Sequence, residues 1–148
     1  MVERVVPLAF EVRWCPAAPY AVLLADADGE TALALAPHFD DPDQRAVVLR
    51  WMRTSAATMS GPNDEALSGH RLWSSGLNDV LWMGEVLDSS WIAAQERTNS
   101  VHDRHDPARF AALRHFVVLL KECVVEVTAE TISVDRVAAR TTREAASR

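Results

Sequence analysis

The sequence predicts an α+β fold, built as a curved antiparallel sheet or open barrel of seven to nine strands with about two helices packed on one side. Three observations predict it. Short apolar runs with a period of two follow one another through the first half of the chain, and no helical pattern separates them, which argues against a doubly wound parallel fold. Two runs rich in β-branched residues, Phe116 to Leu120 and Cys123 to Thr128, flank Lys121-Glu122 and read as a central hairpin. Two helix starts, Asp88-Ser89-Ser90 and Asp106-Pro107, fall late in the chain.

Pro7 to Trp14 opens the pattern. Leu8, Phe10, Val12 and Trp14 fall on one side and Ala9, Glu11 and Arg13 on the other, as in a half-buried strand. Cys15 to Pro19 breaks it, because proline cannot donate to a ladder. Tyr20 to Ala25 and Thr31 to Ala36 flank a turn containing Asp28-Gly29, a strong hairpin signal because glycine tolerates positive φ. Leu33 and Leu35 share one face. Pro37 to Gln44 reads as a solvated acidic loop. Its Asp40, Asp41 and Asp43 lack the further oxygen ligands and later glutamate of a calcium loop. Ala46 to Met52 is the next strand, with Val47, Leu49 and Trp51 on one face, Arg53-Thr54 as its turn and Ser55 to Ser60 as a return strand.

Asn63 to Leu77 is irregular or briefly helical, punctuated by Gly69 and Gly76. Val80 to Leu87 is an apolar strand in which Gly84 suggests a bulge or a close backbone approach. Asp88 to Ser90 offers N-caps for a helix from near Trp91, which places Ile92, Gln95, Asn99 and His102 on one stripe if it runs that far. Asp106 at an N-cap and Pro107 at the first helical position start a short helix to about Leu113. After the central hairpin, Thr131 to Val134 adds a short strand. Residues 1–135 then form a single α+β domain, and 136–148 a frayed or disordered C-terminal tail.

A net charge of −6, with Lys121 the only lysine, argues against nucleic acid as a partner, since that affinity rests on clustered Lys and Arg. Two cysteines, Cys15 and Cys123, are fewer than a disulfide-stapled secreted domain carries. Cys123 reads as a buried, inert thiol. The first residues show no signal peptide, and no apolar run approaches the roughly 20 residues of a membrane span. The expected setting is the cytoplasm, without membrane contact. The arginine-heavy, alanine- and valine-rich composition points to a GC-rich bacterial genome.

Chemistry concentrates in two polar stretches, Asn63–His70 and Asn99–His115, which together are expected to build one pocket. His102 and His105 stand three apart and share a face if helical, so with His70, Glu65 or His115 they make a possible metal set. That spacing is far less specific than His-Glu-x-x-His, and Asp103 and Asp106 serve equally as ion-pair partners. The expectation is therefore a site without metal or cofactor. Histidine changes charge near neutral pH, and an adjacent carboxylate fixes its tautomer. His70 or His102 is the candidate base, with His105 beside them and Glu65 as orienter. Asn63, Asp64, Trp73, Glu85, Asn99, Arg109 and His115 are candidate ligand-binding groups. Each has a plainer role: the Pro-Asn-Asp-Glu run is good turn chemistry, and Asp106-Pro107 is a helix cap. Glu126 shares a face with Val124 and Thr128. It either points into a cavity, where burial would raise its pKa, or faces solvent.

These residues carry a resemblance. Pro62-Asn63-Asp64-Glu65 with Gly69-His70, and the block from Trp91-Ile92 through Asn99, His102, His105-Asp106-Pro107 and Phe110 to Leu113-Arg114-His115-Phe116, resemble motifs of a family of small uncharacterised bacterial proteins over roughly residues 30 to 130. The resemblance implies no activity. The hairpin from Leu119 to Glu126 departs from the more polar one of that family. The function expected from the residues is binding of a small polar or aromatic metabolite. Metal-free acid–base chemistry on it, as in a cyclase, isomerase or hydrolase, is the enzymatic form of that reading. The alternative is a non-enzymatic binding or protein-interaction module whose polar motifs are structural. A homodimer fits either, because a sheet edge or a tryptophan patch needs cover.

Overall fold

The computed structural model describes residues 2–17 and 20–148, so the Ala18-Pro19 end of the expected break lies outside the described residues. Among these residues the chain forms nine strands and three α-helices. The strands are β1 (Arg4–Pro7), β2 (Val22–Ala25), β3 (Thr31–Leu35), β4 (Ala46–Met52), β5 (Ala56–Ser60), β6 (Met83–Leu87), β7 (Arg114–Leu119), β8 (Val124–Ala129) and β9 (Thr131–Val137). The helices are α1 (Ser90–Asn99), α2 (Pro107–Ala111) and α3 (Thr142–Ala146). Short 3-10 turns occupy Asp64–Gly69, Trp73–Ser75 and Leu77–Asp79.

The fold class is α+β with antiparallel pairing, but the strands form two sheets rather than one curved sheet or a barrel. One sheet has the order β1-β6-β7-β8-β5 and the other β2-β3-β4-β9. The reason lies at a corner. β4 pairs with β9 and β5 with β8, so Ser55–Ser60 does not return along β4 as expected. It continues past a bend on the same two-strand ribbon. Met52 faces Thr131 and Ala56 faces Thr128, so residues 53–55 on one side oppose 129–130 on the other. One extra residue on one strand is a bulge, which bends its strand sharply. Arg53 takes a φ of 54° there, and Thr54 N–H leaves the ribbon to donate to the Gly29 carbonyl.

Period two then sorts side chains onto three layers. Leu33, Leu35, Val47, Leu49 and Trp51 of one sheet meet Phe116, Val118, Val125 and Val127 of the other in the central core. The opposite faces of β3 and β4 carry Ala32, Ala34, Ala46 and Val48, and Ala145 and Ala146 of α3 pack on them. The C-terminal segment therefore does not fray. Its alanines let a short helix approach a face that carries only small side chains, and Thr141 caps the helix through Glu144 N–H. Helices thus lie on the outer faces of both sheets, not on one side. The outer face of β6, β7 and β8 presents Val86, Val117, Leu119 and Val124, covered by Leu72, Leu77 and Val80 from the 3-10 segment.

Two further expectations give way. Pro7–Trp14 is not a strand. Pro7 ends β1, Leu8 N–H donates to Met83 carbonyl at 2.9 Å, and the chain then runs irregularly to a bridge between Trp14 and Pro37. Leu8, Phe10 and Val12 still pack on the central core, so their alternation records burial without a ladder. In the acidic loop Asp41 is buried. It accepts from Nε and Nη2 of Arg45 and from the backbone N–H groups of Asp43 and Arg45, which hold its carboxyl below the usual carboxylate range. The Asp28-Gly29 hairpin and the Lys121-Glu122 hairpin form as predicted. A Cβ on Gly84 would come within 3.0 Å of Val6 carbonyl oxygen, the close approach its place in a strand suggested.

Candidate functional site

The outer face of the five-stranded sheet changes character along its strands. Where the 3-10 segment covers it, the face is apolar. Toward α1 it carries His115, Glu126 and Thr128, all buried. The hairpin register explains their meeting. His115 lies opposite Thr128 and Val117 opposite Glu126, so His115 and Glu126 are diagonal neighbours on one face.

Glu126 is the hub. Arg71 donates from Nη1 to Oε2 at 2.8 Å and from Nη2 to Oε1 at 2.7 Å, a bidentate pair. His115 Nε2 lies 2.8 Å from Oε1, and His70 Nε2 lies 3.5 Å from Oε2. Burial works to raise the Glu126 pKa and is the largest single influence. The hydrogen bonds and charges of Arg71 and His115 together outweigh it and bring the pKa down to about 2. The expected rise in a cavity is thus reversed, because the carboxylate is buried with its partners. Burial is also the largest influence on His70 and, with the charge of Arg71, lowers its pKa against the pull of Glu126.

The chain of contacts runs on to α1. Ser89, the N-cap of that helix, accepts from Ile92 N–H at 3.1 Å and sits 2.7 Å from His115 Nδ1. Both ring nitrogens of His115 thus have a partner, Ser89 Oγ at Nδ1 and the Glu126 carboxylate at Nε2. Trp91 packs edge-on to the imidazole, with centroids 5.2 Å apart. Gln95 closes the row, with Nε2 donating to Thr128 Oγ1 at 3.1 Å and Oε1 accepting from Ser55 Oγ at 2.5 Å.

Between α1 and the 3-10 segment the polar row opens into a surface depression of about 420 Å³, lined by Thr58, Arg71, Ser90, Trp91, Ala94 and Glu126. Arg71, half exposed, forms its rim and Glu126 its floor. Ser90 N–H and Oγ–H both donate to Glu3 Oε1, at 2.9 and 3.0 Å, which brings a second carboxylate to the edge.

The two predicted stretches contribute one residue each to this cluster, His70 and His115. The others lie elsewhere. Asn63 caps the first 3-10 turn through Ala66 N–H, and Asp64 and Glu65 are exposed on it. Trp73 is half-buried in the second 3-10 turn. Glu85 pairs with Arg114 on β6 and β7. α1 ends at Asn99, so His102 leaves the stripe on which it was expected. His102 is exposed in the following turn, where its Nδ1 accepts from Arg104 N–H. His105 lies 2.9 Å from Asn99 Nδ2 and 3.7 Å from Glu96. Arg109 is exposed at a different depression, beside Arg53 and Glu130. Cys123 is half-buried, and burial raises its thiol pKa, as for an inert cysteine. No group of three or more His, Cys, Asp and Glu among the described residues is arranged around a common metal position.

Sequence reasoning missed Arg71, Ser89 and Trp91 as members of the site. Arg71 and Glu126 are 55 residues apart, and nothing local announces their pairing. Ser89 and Trp91 were legible only as a cap and a helix start. The one available signal was the hairpin register, which sets His115 and Glu126 side by side. Among the described residues no helix is long and apolar enough to cross a membrane. Comparison of the chain with family models, with curated proteins and with solved structures finds no match.

Proposed function

We propose that the protein binds a small polar or aromatic metabolite in the depression between α1 and the 3-10 segment. One observation carries the reading. A buried carboxylate, Glu126, paired with Arg71 and His115, forms the floor of an open cavity whose wall holds a tryptophan. Small-molecule sites have this composition, a few fixed polar groups beside a flat apolar surface. Arg71 spends two of its five N–H groups on Glu126 and presents the rest at the rim.

The acid–base form of the reading has less support. A carboxylate held near pKa 2 is a weak base, and His115 is fully buried beneath it. Binding rather than turnover is the function this geometry favours. A structural role is the better reading for His102, His105 and Asn99, because their hydrogen bonds and close polar contacts are all local.

The test is a thermal-shift screen of small metabolites against wild type and Ala94→Trp. Ala94 is half-buried on the cavity wall, so an indole there fills the space from solvent. Ligands that raise the melting temperature of wild type and leave the variant unmoved support the proposal. Ligands that stabilise both equally place binding elsewhere and refute it.

A further inference from the structure

We infer that β5 is an interface, and that a second copy of the chain adds its own β5 there, joining two five-stranded sheets into one. The inference stands apart from the ligand-binding reading above. Hydrogen-bond register shows which backbone groups are free. Leu120 N–H donates to the Cys123 carbonyl at 3.0 Å, which makes these two residues a hydrogen-bonded pair of the β7–β8 hairpin. Such pairs alternate, so Val125 and Val127 also bond to β7, while Val124, Glu126 and Thr128 turn their N–H and C=O groups to β5. There they meet Ser60, Thr58 and Ala56. Ala57 and Met59 therefore turn theirs outward, and β5 ends its sheet with no strand beyond it among the described residues.

The other edges are guarded and this one is not. β1 carries Arg4 and Pro7, β9 carries Asp135 and Arg136, and β2 runs straight into the acidic turn at Asp26 and Asp28. Charges and proline at an edge discourage an added strand. From Thr54 to Asn63 there is no charged residue, and the register of β5 runs through Ala56–Ser60 without a bulge or a proline. A second copy fits because the strand is self-complementary. With Thr58 on a twofold axis, Ala57 of each copy pairs with Met59 of the other, and every outward N–H and C=O of these residues finds a partner. Met59 lies on the core face opposite Val125 yet is 40% exposed; in the pair it covers the small side chain of Ala57, twice over by symmetry. The charges that bound the stretch, Arg53 and Asp64, differ in sign, so antiparallel pairing sets the Arg53 end of one strand toward the Asp64 end of the other. Thr58 also lines the depression, so the axis brings the two depressions edge to edge.

The experiment is disulfide trapping in a Cys15→Ser, Cys123→Ser background. Residues that face each other in a non-hydrogen-bonded pair have Cα atoms about 4.5 Å apart, within disulfide range. Thr58→Cys is expected to give a covalent dimer under mild oxidation. Ser60→Cys, which would face Ala56 of the other copy and not itself, is expected to stay monomeric. Both positions are exposed, so these variants are expected to fold. Light scattering on the wild type should show a dimer that forms as concentration rises, since an edge of five residues is a small interface. Thr58→Lys sets like charges face to face at the axis, while within its own copy the new ammonium is opposite Glu126. It should raise the concentration of half-association about tenfold. Leu24→Lys, on the β2 edge, should leave that concentration unchanged. A wild type that stays monomeric at millimolar concentration, trapping at position 60 as readily as at 58 or at neither, association unchanged by Thr58→Lys, or association lost in Leu24→Lys would each overturn the inference.

Discussion

Glu126→Gln removes one charge from the centre of the cluster and changes almost no volume. The cost follows from the hydrogen bonds. A pKa held at about 2 against an ordinary 4.5 corresponds to about 3 kcal/mol of stability at neutral pH. The amide adds a second penalty, because its NH2 must face an N–H of Arg71 or of His115, donor against donor, at about 1 kcal/mol. The expected loss is about 4 kcal/mol, which for a chain of this size lowers Tm by about 12 °C. The sign of the pH dependence is fixed. The folded pKa lies below the unfolded one, so the charge stabilises fully above pH 4.5 and loses its contribution as pH falls through about 2. Thermal unfolding of wild type and variant, followed by circular dichroism from pH 7 to pH 3, reads this directly. The gap between them should shrink to about half by pH 3, because about half the charge contribution is already lost there. A gap that stays constant over that range would refute the account, since it would mean that Glu126 contributes shape and not charge.

Three other outcomes are expected. His102→Ala and Glu65→Ala, both at exposed positions, should each change stability by less than about 0.5 kcal/mol and leave binding of the ligands found in the thermal-shift screen intact, as measured by urea unfolding and calorimetry. Gly84→Ala should destabilise by about 2 kcal/mol in the same assay, because its Cβ would meet Val5 Cγ1 at 2.8 Å and the Val6 carbonyl oxygen at 3.0 Å. Ala145→Asp should cost about 3 kcal/mol, since it sets a carboxylate against Ala32, Ala34 and Val48 with no partner, and hydrogen exchange should then show β3 and β4 opening first.

Most of the strands were legible because their signal is local. β3, β4, β7 and β8 each bury alternate side chains in the central core, and both Asp28-Gly29 and Lys121-Glu122 turn where turn chemistry says they should. What failed was partner choice. Arg53-Thr54 reads as a hairpin turn in sequence, but the unequal count of residues at the corner makes it a bend in a continuing ribbon, and that count exists only between paired strands. The site was half legible for the same reason. His70 and His115 stand out as rare polar residues between apolar runs. Arg71, which holds the carboxylate they surround, is one arginine among many until the fold sets it over β8. His102 and Asn99 drew attention by density alone, and the end of α1 at Asn99 removes the geometry that would have joined them to the cluster.

Stability alone does not account for the presence of Arg71, His115 and Glu126. The same sheet face is apolar a few residues away, where Val117, Leu119 and Val124 pack under Leu72 and Leu77. Breaking a buried ion pair costs several kcal/mol, whereas replacing all of it with apolar groups of similar volume is often neutral or stabilising, by about 1–4 kcal/mol. The triple variant Arg71→Met, His115→Leu, Glu126→Met should therefore melt at or above the wild-type temperature, although Glu126→Gln alone melts well below it. Ser89 still caps α1 through Ile92 N–H in that variant, and as a half-buried side chain its hydroxyl proton can turn to water. The variant should also lose the ligands found in the thermal-shift screen, because the carboxylate on the cavity floor is gone. A triple variant that unfolds, or melts far below wild type, would show that the polar cluster holds the sheet to α1, and would withdraw the argument that it is kept for a ligand. One that folds, melts high and binds nothing would separate the two roles, with the apolar layers carrying the fold and the charged row carrying recognition.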